Sequence, residues 1–455
     1  MAQTIAAIST GQAPGGLGVI RVSGPEAVPI CEKVFGSHFG KRLSDLAGYT
    51  AAYGEIHDQD GEKLDDCVAL VFRAPKSYTG EDVVELSCHG GLYVTRQVLG
   101  ELLKAGAVPA GPGEFTRRAF LNGKLDLAQA EAVMELISAD GKHAAQAAQA
   151  GTSGALSKRI HLISSWLQDL TAHLAAWADF PEEDVEAVTS SELLDVLTRC
   201  QAELERLLEG FEKGRVYREG LRTVIFGRPN VGKSTLMNLL AGRERSIVSP
   251  YAGTTRDVIE DQVALAGVPL LLADTAGLRD TKDPVEEIGV AAARKRLGEA
   301  ELVLAVFEGS AELTQEDYDL MDLLGDLPAI AVVNKCDLDQ KLDLSVIQER
   351  FSHWVMISAE TGSGLDDLEQ AFTGLLGTTD FNLRDPELLT ERQKTAALSA
   401  RDAVCQGIEA LEMGLTLDAV TVCVEDALSA LFSLTGQKVS DEVIDQVFEQ
   451  FCVGK

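Results

Sequence analysis

Residues 227–234 read GRPNVGKS, which meets the spacing G-x-x-x-x-G-K-[ST] at every fixed position. The apolar run 221–226 before it reads as a strand, and 235–241 after it reads as the start of a helix. A chain carrying this stretch is held locally to the order strand, tight loop, helix. Glycines at 227 and 232 let backbone N–H groups turn inward, and the helix start favours an anion at its end. In such a loop Asn230, Val231, Gly232, Lys233, Ser234 and Thr235 surround phosphate: Lys233 reaches the β- and γ-phosphates, and the Ser234 hydroxyl suits Mg²⁺.

Three later stretches say which nucleotide. The short apolar run 270–273 ends in DTAG, and Asp274, Thr275, Ala276 and Gly277 then stand where an acid holds Mg²⁺ through its water and a glycine N–H follows the γ-phosphate. The run 329–333 ends in NKCD, with Asn334, Lys335 and Asp337; a carboxylate there accepts from the guanine N1–H and exocyclic amine. Adenine offers no such donor pair, so an ATP-dependent kinase is disfavoured. The run 355–357 leads to Ser358 and Ala359, the wall of a guanine pocket. Four motifs in order, each at a strand end, define a GTP-hydrolysing domain as the expectation.

The segment SPYAGTTRD at 249–257 is the expected switch, bringing Thr255 to Mg²⁺; Arg256 within it reads equally as a dimer contact or a solvated charge. DTAG is followed by Leu278, which cannot polarise water. The residues themselves leave Asp280, Asp283, Glu286 and Glu287 as equal candidates for orienting the nucleophile.

The chain has 455 residues, enough for two or three domains, with 71 acids against 40 bases and a net charge of −31. Such a balance opposes non-specific nucleic-acid binding, so any RNA contact needs a local basic patch or a partner's surface. No apolar run nears 18 residues, and the first 16 residues lack the basic start and long apolar core of a signal peptide. The eight cysteines show no C-x-x-C pair; together these features imply a cytoplasmic protein with no membrane span, zinc site or disulfide framework.

Residues 1–121 alternate short β-type runs with Gly/Pro turns and two helical stretches, an α+β domain. Its glycine-rich stretches GLGVIRVSG, SYTGEDVVEL, CHGG and GPGEFTRRAFLNGKLDLAQAEA read, on pattern alone, as ordinary turns. Residues 122–214 are helical in texture, and His143, His161 and His173 fall there without metal spacing. The acidic run 181–188 reads as a solvated helix start or linker. After the nucleotide module at 215–380, apolar positions again recur at helical steps over 381–455. The expected fold is therefore multidomain: an α+β N-terminal domain, an all-α helical domain in two chain segments, and a Ras-like α/β P-loop GTPase domain inserted between them.

At this point the motifs match a known family. RVSG at 21–24, SYTGED at 77–82, HGG at 89–91, the long PGEFTRRAFLNGKLDLAQAEA at 112–132, GTTRD, DTAGLR and the FCVGK that ends the sequence resemble the MnmE (TrmE) family of tRNA uridine-modifying GTPases from end to end. The resemblance implies an N-terminal domain that dimerises and binds 5-formyltetrahydrofolate or a related tetrahydrofolate through Arg21, Glu85, Lys124 and Lys455. A pterin's amide and amino edge suits the Glu85 carboxylate, and arginine and lysine suit the glutamate tail or formyl group. It selects Glu286 as the residue holding the attacking water. It also implies K⁺ in the arginine-finger position, bound by Asn230 and by oxygens of Ser249, Tyr251 and Thr254, with two GTPase domains meeting across it.

The resemblance further implies a flavoprotein partner, MnmG, in a heterotetramer. The reaction expected of that pair adds an aminomethyl or carboxymethylaminomethyl group at carbon 5 of the wobble uridine of tRNA. Cys452 is a candidate catalytic thiol by this route, although wall packing in the folate pocket is its simpler role. Val453 and Val231 depart conservatively from the commoner isoleucine and alanine of the family. The competing expectation is a non-enzymatic GTPase switch for ribosome or complex assembly, which has no need of the FCVGK tail, Lys124 or Arg21.

Overall fold

In a computed structural model the protein is described over residues 3–11, 13–139, 141–179, 189–243, 261–272, 297–298, 300–377 and 385–455. Contacts divide the chain into two units: Met1–Met134 with Ser157–Gln201 and Thr395–Lys455, and Glu135–Leu156 with Ala202–Lys394.

The first unit contains a seven-stranded sheet built from β1 (Ile5–Ile8), β2 (Leu17–Ser23), β3 (Phe35–Ser37), β4 (Thr50–His57), β5 (Lys63–Phe72), β6 (Val83–His89) and β7 (Val108–Pro109). The strand order is β3-β4-β5-β6-β2-β1-β7, antiparallel throughout except for the parallel pair β1 and β7. Alternation sorts the two faces. Ala52 and Ile56 on β4 and Cys67, Ala69 and Val71 on β5 turn into a core shared with α1 (Ala27–Val34) and α2 (Leu92–Lys104). The opposite face of β1 carries Ile5 and Ala7 against Phe115 of α3 (Glu114–Leu121). This last helix lies inside the stretch that pattern reading took for a glycine-rich loop; its eight residues are too few to show a helical period.

The cores of this sheet hold Cys31, Cys67 and Cys88, whose thiols burial pushes up, to about 11 for Cys88. None of the eight cysteines is joined to another in a disulfide. The helices that follow are α4 (Leu127–Ser138), α5 (Lys142–Thr152), α6 (Ala155–Asp179) and α7 (Ser190–Glu219). None of the described helices is long and apolar enough to cross a membrane.

The second unit carries a six-stranded sheet of β8 (Leu221–Phe226), β9 (Asp261–Leu265), β10 (Val268–Leu272), β11 (Leu302–Glu308), β12 (Ala329–Asn334) and β13 (Trp354–Met356), in the order β13-β12-β11-β8-β10-β9. Only the β9–β10 edge pair is antiparallel. Strands β11 and β12 are apolar along almost their whole length because both faces are covered, as parallel sheets require. The covering helices include α8 (Lys233–Arg243), α9 (Gln315–Leu324), α10 (Leu344–Arg350) and α11 (Leu365–Leu375).

The chain then forms α12 (Glu391–Glu412), α13 (Leu417–Thr435) and α14 (Asp441–Glu449). The apolar face of α14 packs Ile444, Val447 and Phe448 on Leu127 and Ala130 of α4, with Phe451 beside them. The multidomain class expected from sequence is what the structure shows. The final residues are not helical; they pair as a strand-like bridge, Pro112 with Val453.

Candidate functional site

Strand β8 delivers the chain into the loop 227–232, and α8 begins at Lys233. Asn230 takes a left-handed backbone (φ 66°), and Gly232 takes φ 101°. A Cβ on Gly232 would run into the side-chain amide of Asn334, so this position is closed to any other residue on both counts. Val231 is fully buried and anchors the loop. The Lys233 ammonium curls back onto the loop, donating to the carbonyl oxygens of Gly227 (2.7 Å) and Arg228 (2.8 Å). Burial pulls its pKa down. Ser234 and Thr235 are exposed at the helix start.

Asn334 ends β12 and is almost wholly buried, 2% exposed. Its Nδ2 donates to the Val231 carbonyl oxygen (2.8 Å), and its Oδ1 accepts from the Ala359 N–H (2.9 Å). One amide thus joins three stretches, the first of which lies more than a hundred residues before the other two in sequence. Ser358 is buried, with its N–H on the Ser363 carbonyl oxygen at 3.0 Å and its hydroxyl accepting from Thr361 N–H at 3.3 Å. Lys335 has φ 65°, and its ammonium lies 2.8 Å from Glu308. Asp337 is exposed. Structure therefore gathers Asn230, Val231, Gly232, Lys233, Ser234, Thr235, Asn334, Lys335, Asp337, Ser358 and Ala359 along one end of the parallel sheet. Ser249, Tyr251, Thr254, Thr255, Asp274, Thr275, Ala276, Gly277 and Glu286 lie outside the described residues.

A second cluster forms in the sheet of the first unit. Arg21 on β2 faces Glu85 on β6 in register, and both Nε and Nη2 reach Glu85 Oε1 at 2.8 Å. The guanidinium lies 5.6 Å from the centres of the Tyr78 and Phe115 rings. Lys455 comes to the same place. Burial lowers its pKa, with Arg21 adding to that and Glu85 opposing it. The chain end is fastened by its backbone: Phe115 N–H donates to the Lys455 carbonyl oxygen (3.2 Å), and the Ser9 hydroxyl donates to that of Gly454 (3.1 Å). Gly454 has φ 101°, and a Cβ there would strike the Ile8 carbonyl oxygen.

Lys124 sits on the neighbouring turn, its ammonium on the Pro75 carbonyl oxygen at 3.1 Å. Cys452 is exposed, and its carbonyl oxygen accepts from Gly113 N–H at 3.4 Å.

What pattern reading missed is the scaffold under this cluster. Glu81 accepts from Arg118 at 3.1 Å and from the Ser23 hydroxyl at 2.7 Å. Arg118 also holds Glu114 at 2.9 Å, and Glu114 accepts from Gly111 N–H at 2.8 Å. Asp82 accepts from Arg73 and from Ala74 N–H. The polar residues of SYTGED are thereby used to seat α3 and the RVSG strand, and so to place Tyr78 and Phe115 around Arg21. Charged residues beside glycine-rich stretches were the only sequence signal, and it does not name their partners.

A strand-loop-helix phosphate cradle, closed by an asparagine from a later strand of a parallel sheet, defines a P-loop GTPase, here in one chain with an antiparallel-sheet domain and a set of helices. The family described as GTP-binding protein TrmE N-terminus matches residues 4–124, and that described as MnmE helical domain matches residues 127–452. The protein from Symbiobacterium thermophilum called tRNA modification GTPase MnmE is 45% identical over 100% of this chain and 99% of its own length. The protein of the same name from Thermoanaerobacter pseudethanolicus is 41% identical over 99% of each. Among solved structures, Era of Aquifex aeolicus bound to GDP·AlF4⁻ is 27% identical, covering 40% of this chain and 66% of that one, with a TM-score of 0.27. The chain belongs to the MnmE family of tRNA modification GTPases.

Proposed function

We propose that this chain hydrolyses GTP in order to drive modification of tRNA at carbon 5 of the wobble uridine. The product is an aminomethyl or carboxymethylaminomethyl uridine, made together with a flavoprotein partner, MnmG. Water attacks the γ-phosphorus, the bond to the β–γ bridging oxygen breaks, and GDP leaves with phosphate. Lys233 and the loop N–H groups bind the β- and γ-phosphates, Ser234 and Thr255 would hold Mg²⁺, which would neutralise phosphate charge, and Asp337 reads guanine. Glu286 holds the attacking water. Asn230, Ser249, Tyr251 and Thr254 would hold K⁺, which would supply the positive charge of an arginine finger when two GTPase domains meet.

The second cluster fits a reduced folate. Glu85 Oε1 takes both Arg21 contacts, so Oε2 has no partner among the described residues and suits a pterin's donor edge. Lys455 and Arg21 are cations beside it, Tyr78 and Phe115 supply flat apolar surface, and Lys124 sits one turn away. A tetrahydrofolate there brings one-carbon chemistry; the chain's own residues bind and orient it. In this reading the sheet domain forms the homodimer, and Cys452 stands at the pocket wall. Residues 1–121 are the folate and dimer domain, 122–214 with 381–455 the helical domain, and 215–380 the inserted GTPase domain.

The observation that carries the reading is the fastening of the last two residues beside the Arg21–Glu85 pair, which a bare GTP switch does not need. The test is mass spectrometry of nucleosides from total tRNA of a strain lacking the gene. Loss of the 5-aminomethyl and 5-carboxymethylaminomethyl uridines is expected, restored by wild type and not by Asp274→Ala or Glu286→Ala. An unchanged profile would favour an assembly switch instead.

A further inference from the structure

Glu308 ends β11, in register with Asn334 on the neighbouring parallel strand β12. It lies outside the four nucleotide motifs, yet its carboxylate touches two of them. Oε1 accepts from the Lys335 ammonium at 2.8 Å, and Oε2 lies 3.5 Å from Nη2 of Arg228, the second residue of the phosphate loop. The Ser310 hydroxyl donates to Oε1 as well, at 3.0 Å. Arg228 is in turn drawn toward Asp317 at 3.5 Å, and Asp317 is fixed by accepting the Thr314 N–H and hydroxyl at the start of α9. Glu308 and Arg228 are each about four-fifths buried, so solvent screens this chain of charges less than it would a surface pair.

We propose that Glu308 is a positioning residue for the guanine nucleotide, setting Lys335 of the base-reading motif and Arg228 of the phosphate loop from a single carboxylate. Lys335 carries a non-glycine left-handed backbone just past the end of β12. Its ammonium then needs an anchor if the four-carbon stem is to lie as one flat wall of the guanine site. Glu308 is that anchor. Because the same carboxylate draws the first turn of the phosphate loop, the base wall and the phosphate cradle keep a constant separation. Asn334 ties the two motifs through the backbone; Glu308 ties them through charge. The hydrogen bond from Lys335, against the opposing cost of burial, holds the Glu308 carboxyl below its ordinary range, so it is ionised at neutral pH.

This rests on the GTP-site reading, and the experiment separates the two. The full chain is titrated with mant-GDP and mant-GTP at fixed ionic strength. Failure of the wild type to bind refutes the site itself. With wild type binding, Glu308→Gln is expected to weaken both nucleotides alike, by about tenfold, because neither contact involves the γ-phosphate. Lys335→Met is expected to weaken binding as well, and the double variant by clearly less than the two single losses combined, because the Lys335 arm is shared while the Arg228 arm is lost only with Glu308. Fully additive losses, or a Glu308→Gln affinity within about twofold of wild type, would overturn the proposal. If Glu308→Gln does not fold, Glu308→Asp keeps the charge and withdraws it by one methylene. A folded Glu308→Asp chain with weakened affinity supports the proposal, and one with wild-type affinity overturns it.

Discussion

Arg21 and Glu85 face each other on adjacent antiparallel strands, and the arginine closes two nitrogens on one carboxylate oxygen at 2.8 Å. The pair is mostly sheltered, with side chains 16% and 22% exposed, so removing one partner leaves a poorly solvated charge. Arg21→Ala is expected to abolish binding of 5-formyltetrahydrofolate in isothermal titration while leaving mant-GDP affinity unchanged. Glu85→Gln should weaken folate binding by at least about tenfold, since an amide offers one acceptor where the carboxylate offers more. Equal folate affinity in both variants and wild type would remove this cluster from the site.

The chain end depends on Gly454. With φ 101° and no room for a Cβ against Ile8, Gly454→Val must lift the last residues from the sheet. Only the hydrogen bonds to Ser9 and Phe115 and the bridge at Val453 are at stake, so the melting temperature should fall by no more than a few degrees. Folate binding should be lost nonetheless, because Lys455 leaves with the backbone. Retained folate affinity in a folded Gly454→Val chain would show that Lys455 takes no part.

Asn334→Ala tests the tie between the motifs. The substitution strips partners from the Val231 carbonyl and the Ala359 N–H, both in buried residues, at about 1–3 kcal/mol each. Urea unfolding should show the GTPase unit destabilised by about 2–4 kcal/mol, and mant-GDP affinity should fall by about a hundredfold or more. Asn334→Asp, which still accepts from Ala359 but cannot donate to Val231, should fall between. An Asp variant as weak as Ala would place the whole effect on the Val231 contact.

The nucleotide motifs were legible because each is contiguous: GRPNVGKS, NKCD and Ser358-Ala359 each announce a local backbone shape, and strand ends locate them. Strand β12 was legible for the same reason, as the unbroken apolar run 329–333. What was not legible depends on pairs far apart in sequence. Nothing in FEGSAEL marks Glu308 as the partner of Lys335, and nothing in TRR distinguishes Arg118, held by Glu81, from Arg117, paired with Asp445 of α14. The resemblance to a family carried Arg21, Glu85 and Lys455 to one place. Physical pattern alone left Arg21 and Glu85 in separate β-type runs and Lys455 at the end of a helical stretch, because a strand register is needed before a carboxylate and a guanidinium can be seen to meet.

Glu387 and Arg218 lie 3.7 Å apart with side chains 3% and 9% exposed, and both carboxylate oxygens lack a hydrogen-bond donor among the described residues. Burial pushes the Glu387 carboxyl from 4.5 up to about 7, Arg218 drawing it back and Asp385 adding to the rise. The sign follows from proton counting. Between those two values the folded chain keeps a proton that the unfolded chain has released, so raising the pH favours unfolding. Stability contributed here is fully present below about pH 4.5, falls by about 1.4 kcal/mol per unit as pH rises toward 7, and is flat above. Glu387→Gln cannot titrate and should remove this slope. Urea unfolding of wild type and variant at pH 5 and pH 7 is the measurement: the variant is expected to gain relative to wild type as pH rises. Parallel curves would mean that Glu387 is ionised throughout, held by Arg218 despite its burial.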